Sequence, residues 1–561
     1  MLLELLRSTL IFLGLAFGLG WPLAARLRLA PVEKIAAAAA LSLLGTFLFA
    51  WAVYVSALPA VTLWGLPLLA ALGLLFSPRA LWETCRDADA RGLLLAQLIV
   101  TAWCVGWLAL VVNYSGGGWA ADWFEHWDRA RFFLERSPRD LLFLGHYPLT
   151  ARPPLANVLT AAFLQLTRAD FAHYQVASTL FGSLAFLPAA LLARRFGGSR
   201  AIALCAVLLM LSPLFVQNAT FAWTKLPSAF FVLTALYFFL RTFDGNDYYA
   251  AAFLCSASLA AGLLAHYSAG PYAVLLAGAW FAVGRDRFHE TAWRHATALA
   301  ALAGALVLAT WFAWALAVYG VNGTLLANST ATAADASAAD QLWKILLNLR
   351  DTLVPHFLRP LDPGLIAQRS AWGHWRDWWF QLYQLNLLFA FGSVAWLAIL
   401  FAAIRTPPAR RVFWTVFVSG AVVLGISVHS GRDTWGLAHI CLQPLALLGL
   451  AFLAARWPAL PRAWRLALFA GAVLDFIVGL ALHFAVQNYA LDRWLTPTRS
   501  PADWLFSYNE TATMNVNAKA VHSLQFFADV QPLPLPLVVA GLAVILVLAL
   551  VRANRPRSAP R

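Results

Sequence analysis

Apolar residues run along this chain in long blocks separated by short polar connectors. About 20 consecutive apolar residues cross a hydrocarbon core of about 30 Å as one helix. Fifteen runs come within a few residues of that length, at 6–25, 35–56, 59–77, 92–112, 173–193, 200–216, 226–241, 248–265, 270–284, 297–318, 384–404, 412–428, 437–455, 467–486 and 534–552. The pattern predicts an all-α polytopic membrane protein of about 15 transmembrane helices (13–15), with juxtamembrane helices on one face. The first run has a long apolar stretch and no convincing A-x-A site, so it is read as a span and not as a cleavable signal. Residues 153–167 are apolar but only 15 long, and counting them as a span would invert every connector downstream. They are read as a juxtamembrane or re-entrant helix, which membrane depth tolerates where backbone is enclosed by protein or lines a cavity.

Composition agrees with this pattern. Of 561 residues, 61% are apolar and 12% charged, with a mean hydropathy of +0.70, against about 45–50% and about 25% in soluble domains. A soluble enzyme, a disordered chain and a fibre are excluded. The net charge of +14 would point to nucleic acid in a soluble protein. Here it follows topology: connectors at 25–34, 78–91, 194–200, 285–296, 405–411 and 456–466 and the C-terminal tail are Arg-rich and alternate onto one side. That side is cytoplasmic by the positive-inside rule, which places the N-terminus outside and the C-terminus inside. No nucleic-acid partner is expected. Lysine occurs at only four positions, and the heavy use of Ala, Leu and Arg fits a GC-rich bacterial genome, hence a bacterial plasma membrane. Cys85, Cys104, Cys205, Cys255 and Cys441 lie in or beside apolar runs with no CxxC spacing, and are read as packing residues.

Three long segments then face outward, 113–172, 319–383 and 487–533, and they hold 15 of the 26 acidic residues. The expected organisation is 1–91 as an N-terminal addition of three spans, 92–318 as a catalytic transmembrane core and 319–383 as an outer loop. Spans follow over 384–486, a second outer loop over 487–533, and the last span with a basic tail over 534–561. The stretch 113–158 is the richest in chemistry. After Gly116-Gly117-Gly118 an amphipathic helix is predicted over about 122–136, with Asp122, Glu125, His126 and Arg129 on one face and Trp123, Trp127, Ala130 and Leu134 beside it. Such a helix is expected to lie on the membrane surface, apolar side down, with its acidic face pointing at whatever occupies the outer cavity. Asp475, in the middle of an apolar run, is expected to face the bundle interior in a packing role.

Asp122 follows a span and opens this helix; Tyr147-Pro148 and Arg152-Pro153-Pro154-Leu155 come about 30 residues later. A span ends in Ser212-Pro213-Leu214, and an outer turn, Gln217 to Lys225, re-enters at Leu226-Pro227-Ser228. Over roughly 92–285 this arrangement resembles the GT-C superfamily of membrane glycosyltransferases, in its protein mannosyltransferase and aminoarabinose-transferase-like branch. Two departures stand out. Trp123 and Phe124 follow Asp122 where the family usually has Glu, and Lys225 holds the second-loop place where many members carry an acid.

The resemblance implies a GT-C-like fold and transfer of a sugar from a polyprenyl-phosphate donor to an acceptor outside the cytoplasm, with inversion in one displacement. It implies Asp122 as the base, because the acceptor hydroxyl or amine must lose a proton, with Glu125 assisting or pairing with Arg129. A carboxylate also steadies an oxocarbenium-like centre. The phosphate leaving group needs fixed cations, for which Arg152, Lys225 and Arg432 are the candidates, with His126 and His266 beside them at the donor. No metal ligand is assigned, since His126, His146, His356 and His374 share no paired spacing; a divalent metal stays open as a cofactor. The sugar and acceptor are not readable. The alternative reading is a transporter or flippase of lipid-linked sugars, against which stand the absence of a repeat and the outer-loop position of the polar residues.

Overall fold

The computed structural model describes residues 2–109, 122–244, 248–327, 337–354, 358, 392–405, 410–411, 414–416, 418–420, 443–482 and 535–554. Among them the regular structure is helical, with one isolated bridge between Phe143 and Tyr147. Fourteen of the fifteen apolar runs overlie helices; most of the run at 412–428 lies outside the described residues.

The N-terminal part comprises α1 (Leu2–Leu13), running through a π-helical segment (Gly14–Gly18) towards α2 (Trp21–Arg26), then α3 (Pro31–Val55), α4 (Gly65–Leu75) and α5 (Pro78–Arg86). Helix α3 starts on Pro31, whose missing N–H costs nothing in the first turn, and the Glu33 carboxylate accepts the free Ala30 N–H. Gly20 lets α2 approach α3 closely: a Cβ there would stand 2.5 Å from the Ser42 nitrogen. The same apolar core continues without a break into the segment after residue 92.

That segment comprises α6 (Ala88–Leu108), α7 (Asp122–Glu135), α8 (Leu155–Leu166), α9 (Phe171–Ser183), α10 (Phe186–Gly197), α11 (Arg200–Met210), α12 (Pro213–Thr220), α13 (Lys225–Arg241), α14 (Tyr248–Ala265), α15 (Gly270–Gly284) and α16 (Thr291–Leu325). Helices α11 and α12 bend by 70° at Ser212-Pro213, where proline cannot continue the hydrogen-bond ladder of the preceding helix. The remainder is α17 (Ala338–Leu353), α18 (Gly392–Arg405), α19 (Gln443–Arg456), α20 (Arg462–Leu474) with a π-helical continuation (Asp475–Leu482), and α21 (Leu535–Asn554). Asp475 is buried, and the neighbouring Phe476 packs on Trp103 and Trp107 of α6. Among the described residues six helices are long and apolar enough to cross a membrane, or eight when each bent pair counts once. Several of the fifteen runs are split into shorter helices by bends and π-helical turns.

Two features position the site. Helix α8 has 12 residues and so is about 18 Å long, too short to cross a bilayer. It is enclosed by α3, α7, α9 and α14, a half-length helix inside the protein in keeping with the short 153–167 run. Helix α7 differs from expectation. Its polar face is turned inward, with Glu125 and Arg129 fully buried and His126 6% exposed, and Trp127, Ala130, Phe132 and Phe133 are buried too. It is a packed element and not a surface raft, because its acids meet cations supplied by later parts of the chain.

Candidate active site

Asp122 is the first residue of α7, where a carboxylate complements the free N–H groups of the first turn. Its side chain is half-buried, and its Oδ2 accepts the indole N–H of Trp223 at 3.3 Å. Trp223 is delivered by a tight turn: Ala222 adopts φ 63°, and the Tyr174 hydroxyl donates to its carbonyl at 3.2 Å. A non-glycine residue with positive φ is uncommon and strained, so a tertiary hydrogen bond at that residue helps hold the bend. Two residues on, Lys225 opens α13 and places its Nζ 3.5 Å from the centroid of the Trp223 ring, a cation–π contact.

One turn along α7, Glu125 lies between two guanidinium groups. Arg129 Nε donates to its Oε1 at 2.9 Å, and Arg152 Nη2 stands 3.3 Å from its Oε2. Arg129 also donates to the carbonyls of Leu149 at 2.9 Å and Pro148 at 3.3 Å, and it stacks 4.2 Å over Phe143. The Phe143–Tyr147 turn folds back so that Tyr147 supports the Arg152 guanidinium at 5.0 Å. Helix α7 thereby holds the chain just before Arg152 by its backbone, and Arg152 itself by charge. His126 shares its Nδ1 with Asn157 Oδ1 at 3.0 Å, which anchors α7 to α8.

The electrostatics separate the two carboxylates. Burial, with Glu125 nearby, pushes the Asp122 carboxyl above its ordinary range, and Arg152, Lys225 and the Trp223 N–H only partly counter this. Burial acts upward on Glu125 as well, but Arg129 and Arg152 outweigh it and take that carboxyl down to about 2. Glu125 is thus held as an anion between cations, while Asp122 binds its proton more readily than an ordinary aspartate. Burial lowers the His126 imidazole to about 4 and the Arg129 guanidinium to about 10. His266, at the end of α14, accepts from the Ser268 N–H at 3.1 Å. Burial, Arg152 and Lys225 keep it well below the usual histidine range. Both imidazoles are therefore neutral near pH 7.

The structure brings Asp122, Glu125, Arg152 and Lys225 into one electrostatic cluster, with His126 and His266 at its edge. Arg432, His356 and His374 lie outside the described residues. His146 turns back to its own loop, onto the Leu144 carbonyl. Sequence reasoning gave Arg129 only as a partner of Glu125 and missed its hold on the backbone carbonyls; the i,i+4 spacing was the one visible signal. It also missed the Trp223 bond to Asp122, which nothing in the sequence announces across 101 residues. A divalent metal does not fit this donor set. Among the described residues no group of three His, Cys, Asp or Glu converges, Glu125 is taken by two guanidinium groups, and Arg152 and Lys225 act on Asp122 where a second carboxylate would be needed.

Residues 151–314 match the family model described as dolichyl-phosphate-mannose-protein mannosyltransferase. The matched segment carries Arg152, Lys225 and His266 and begins after α7. No curated protein matches the chain. Two solved structures are similar, those of ArnT from Cupriavidus metallidurans bound to undecaprenyl phosphate and in the apo state. Their identities are 17% and 16%, each covering 81% of this chain and 75% of the other, with a TM-score of 0.42. From residue 151 to residue 314 the chain is thus similar to the dolichyl-phosphate-mannose-protein mannosyltransferases, in line with the GT-C resemblance of its loop motifs.

Proposed function

We propose that this protein is a membrane glycosyltransferase that moves a sugar from a polyprenyl-phosphate carrier to an acceptor hydroxyl or amine on the outer face of a bacterial plasma membrane. One observation carries the reading: Asp122, a carboxyl of raised proton affinity, lies in one cluster with the Arg152 and Lys225 cations. Cations at that place suit a phosphate, and fixed cations at a leaving group are an effective form of transition-state stabilisation.

In this mechanism Lys225 and Arg152 receive the carrier phosphate. Asp122 takes the proton of the acceptor as its oxygen or nitrogen attacks the anomeric carbon. The bond from that carbon to the phosphate oxygen breaks, its electrons remain on the phosphate, and the configuration inverts in a single displacement. Glu125 takes no part in proton transfer; it holds Arg152 in place. The phosphate is a good leaving group, so no general acid is needed. No step runs through a metal.

The test is transfer by the purified protein, supplied in detergent with radiolabelled undecaprenyl-phosphate monosaccharides and a membrane extract as acceptor source. The reading expects label to leave the carrier in a protein-dependent way. Label that stays on every carrier, with the protein folded, would overturn it.

A further inference from the structure

Behind Trp223 lies a cavity of about 20 Å³, between α8, α9 and the start of α13 and covered by α7. A water needs about 10–15 Å³ measured in this way, so the space takes one water-sized group. Its wall combines His126, Asn157, Thr160, Ser178 and Thr224 with the ring of Trp223. Polar side chains inside an apolar bundle are costly unless they hydrogen-bond, and the displacement described above uses none of these five.

Their hydrogen bonds define what the cavity offers. Asn157 Oδ1 is an acceptor, so the His126 ring places its N–H at Nδ1 and keeps a lone pair at Nε2. The Thr160 hydroxyl donates to the Ala156 carbonyl at 2.9 Å and retains lone pairs to accept. The Asn157 amide contributes N–H donors. No ionised group lines the wall, since burial keeps His126 neutral. A hydroxyl, which both donates and accepts, matches this set, whereas a phosphate or carboxylate would find no cation. The cavity shares Trp223 with the reacting site: Asp122 holds the indole N–H and Lys225 covers the ring. Trp223 is thus the residue common to the carboxylate side and the cavity side.

We infer that this cavity is a specificity subsite that takes one hydroxyl-sized, uncharged substituent of the transferred sugar. The inference rests on the glycosyltransferase reading and deepens it, dividing the site into a charged half for phosphate and a neutral half for sugar. A site built to hydrogen-bond a hydroxyl rejects analogues that lack or misplace it far more strongly than an apolar pocket rejects a missing methylene.

The test measures binding by tryptophan fluorescence to the full-length protein in detergent. The probes are undecaprenyl phosphate alone and undecaprenyl phosphate bearing mannose, glucose, galactose or arabinose. The wild type is expected to bind one sugar-bearing carrier at least tenfold more tightly than the others. Thr160→Val, which keeps the shape of the side chain and removes its hydroxyl, is expected to shrink that spread below threefold while the affinity for bare undecaprenyl phosphate stays the same; Thr160→Ser, which keeps the hydroxyl, is expected to retain the spread. A wild-type protein that binds bare carrier with no spread among sugars, or a Thr160→Val variant that keeps the spread, would overturn the subsite and leave the cavity a water site only. Failure of the wild type to bind any carrier, bare or loaded, would instead overturn the glycosyltransferase reading beneath it.

Discussion

Replacing Glu125 by glutamine keeps the shape of the side chain and removes its charge. In the native protein both carboxylate oxygens are buried, one 2.9 Å from Arg129 and the other 3.3 Å from Arg152. Removing one partner of a buried ion pair costs about 3–5 kcal/mol, because the remaining charge loses its compensation. The lower end of that range applies, since Arg152 is 16% exposed and partly recovers solvent. The sign follows from the lowered carboxyl. The native state binds fewer protons than the unfolded chain between about pH 4.5 and about pH 2, so the Glu125 contribution is complete above 4.5 and is lost as pH falls through that window. The assay is thermal unfolding in detergent at pH 7 and at pH 3, read by fluorescence. Glu125→Gln is expected to unfold at clearly lower temperature at pH 7, with the gap to wild type narrowing at pH 3. Its transfer activity is expected to extend to lower pH, because a negative neighbour that raises the Asp122 carboxyl is gone. Equal unfolding temperatures at pH 7 would refute the argument that Glu125 is a structural anion.

Lys225→Ala and Arg152→Ala are each expected to weaken binding of bare undecaprenyl phosphate at least tenfold in the same fluorescence titration; unchanged affinity in both would remove them from the phosphate site. Trp223→Phe deletes the indole N–H that lowers the Asp122 carboxyl. The acidic limb of its pH–activity profile is expected to move upward, and an unmoved limb contradicts the hydrogen bond as a tuning contact. Gly197→Ala brings a Cβ to 2.5 Å from the Ala455 Cα where α10 meets α19. Overpacking of this kind costs about 1–3 kcal/mol, which thermal unfolding detects; a neutral result would mean that α10 and α19 are less closely packed.

The long apolar runs made the helices legible, and the short 153–167 run corresponds to a 12-residue helix enclosed by its neighbours. The burial of α7 on both its polar and apolar faces was not legible. A helical wheel shows that Asp122, Glu125, His126 and Arg129 share a face, but the direction of that face depends on cations from elsewhere. Arg152 arrives 27 residues after Glu125, and Lys225 comes from the far side of a bent span. The Asp122 position was readable through its place after a span and its resemblance to a loop motif. Its neighbour Trp223 was not, because it looked like one more aromatic residue in an interfacial belt, and only the Ala222 turn brings its N–H to the carboxylate. The opposite shifts of the two carboxyls likewise arise from unequal cation contact, which spacing alone does not encode.

The central claim is that Asp122 accepts the acceptor proton. The direct measurement is single-turnover transfer from a labelled undecaprenyl-phosphate sugar as a function of pH, comparing wild type with Asp122→Asn at equal carrier occupancy. An ionised Asp122 is required, so wild-type transfer is expected to rise with pH through a midpoint above the ordinary aspartate value of 3.8. Asp122→Asn is expected to bind carrier and to lose transfer by about 10²-fold or more, the usual contribution of a general base. Full activity in Asp122→Asn, or a wild-type profile with no acidic limb, would contradict it.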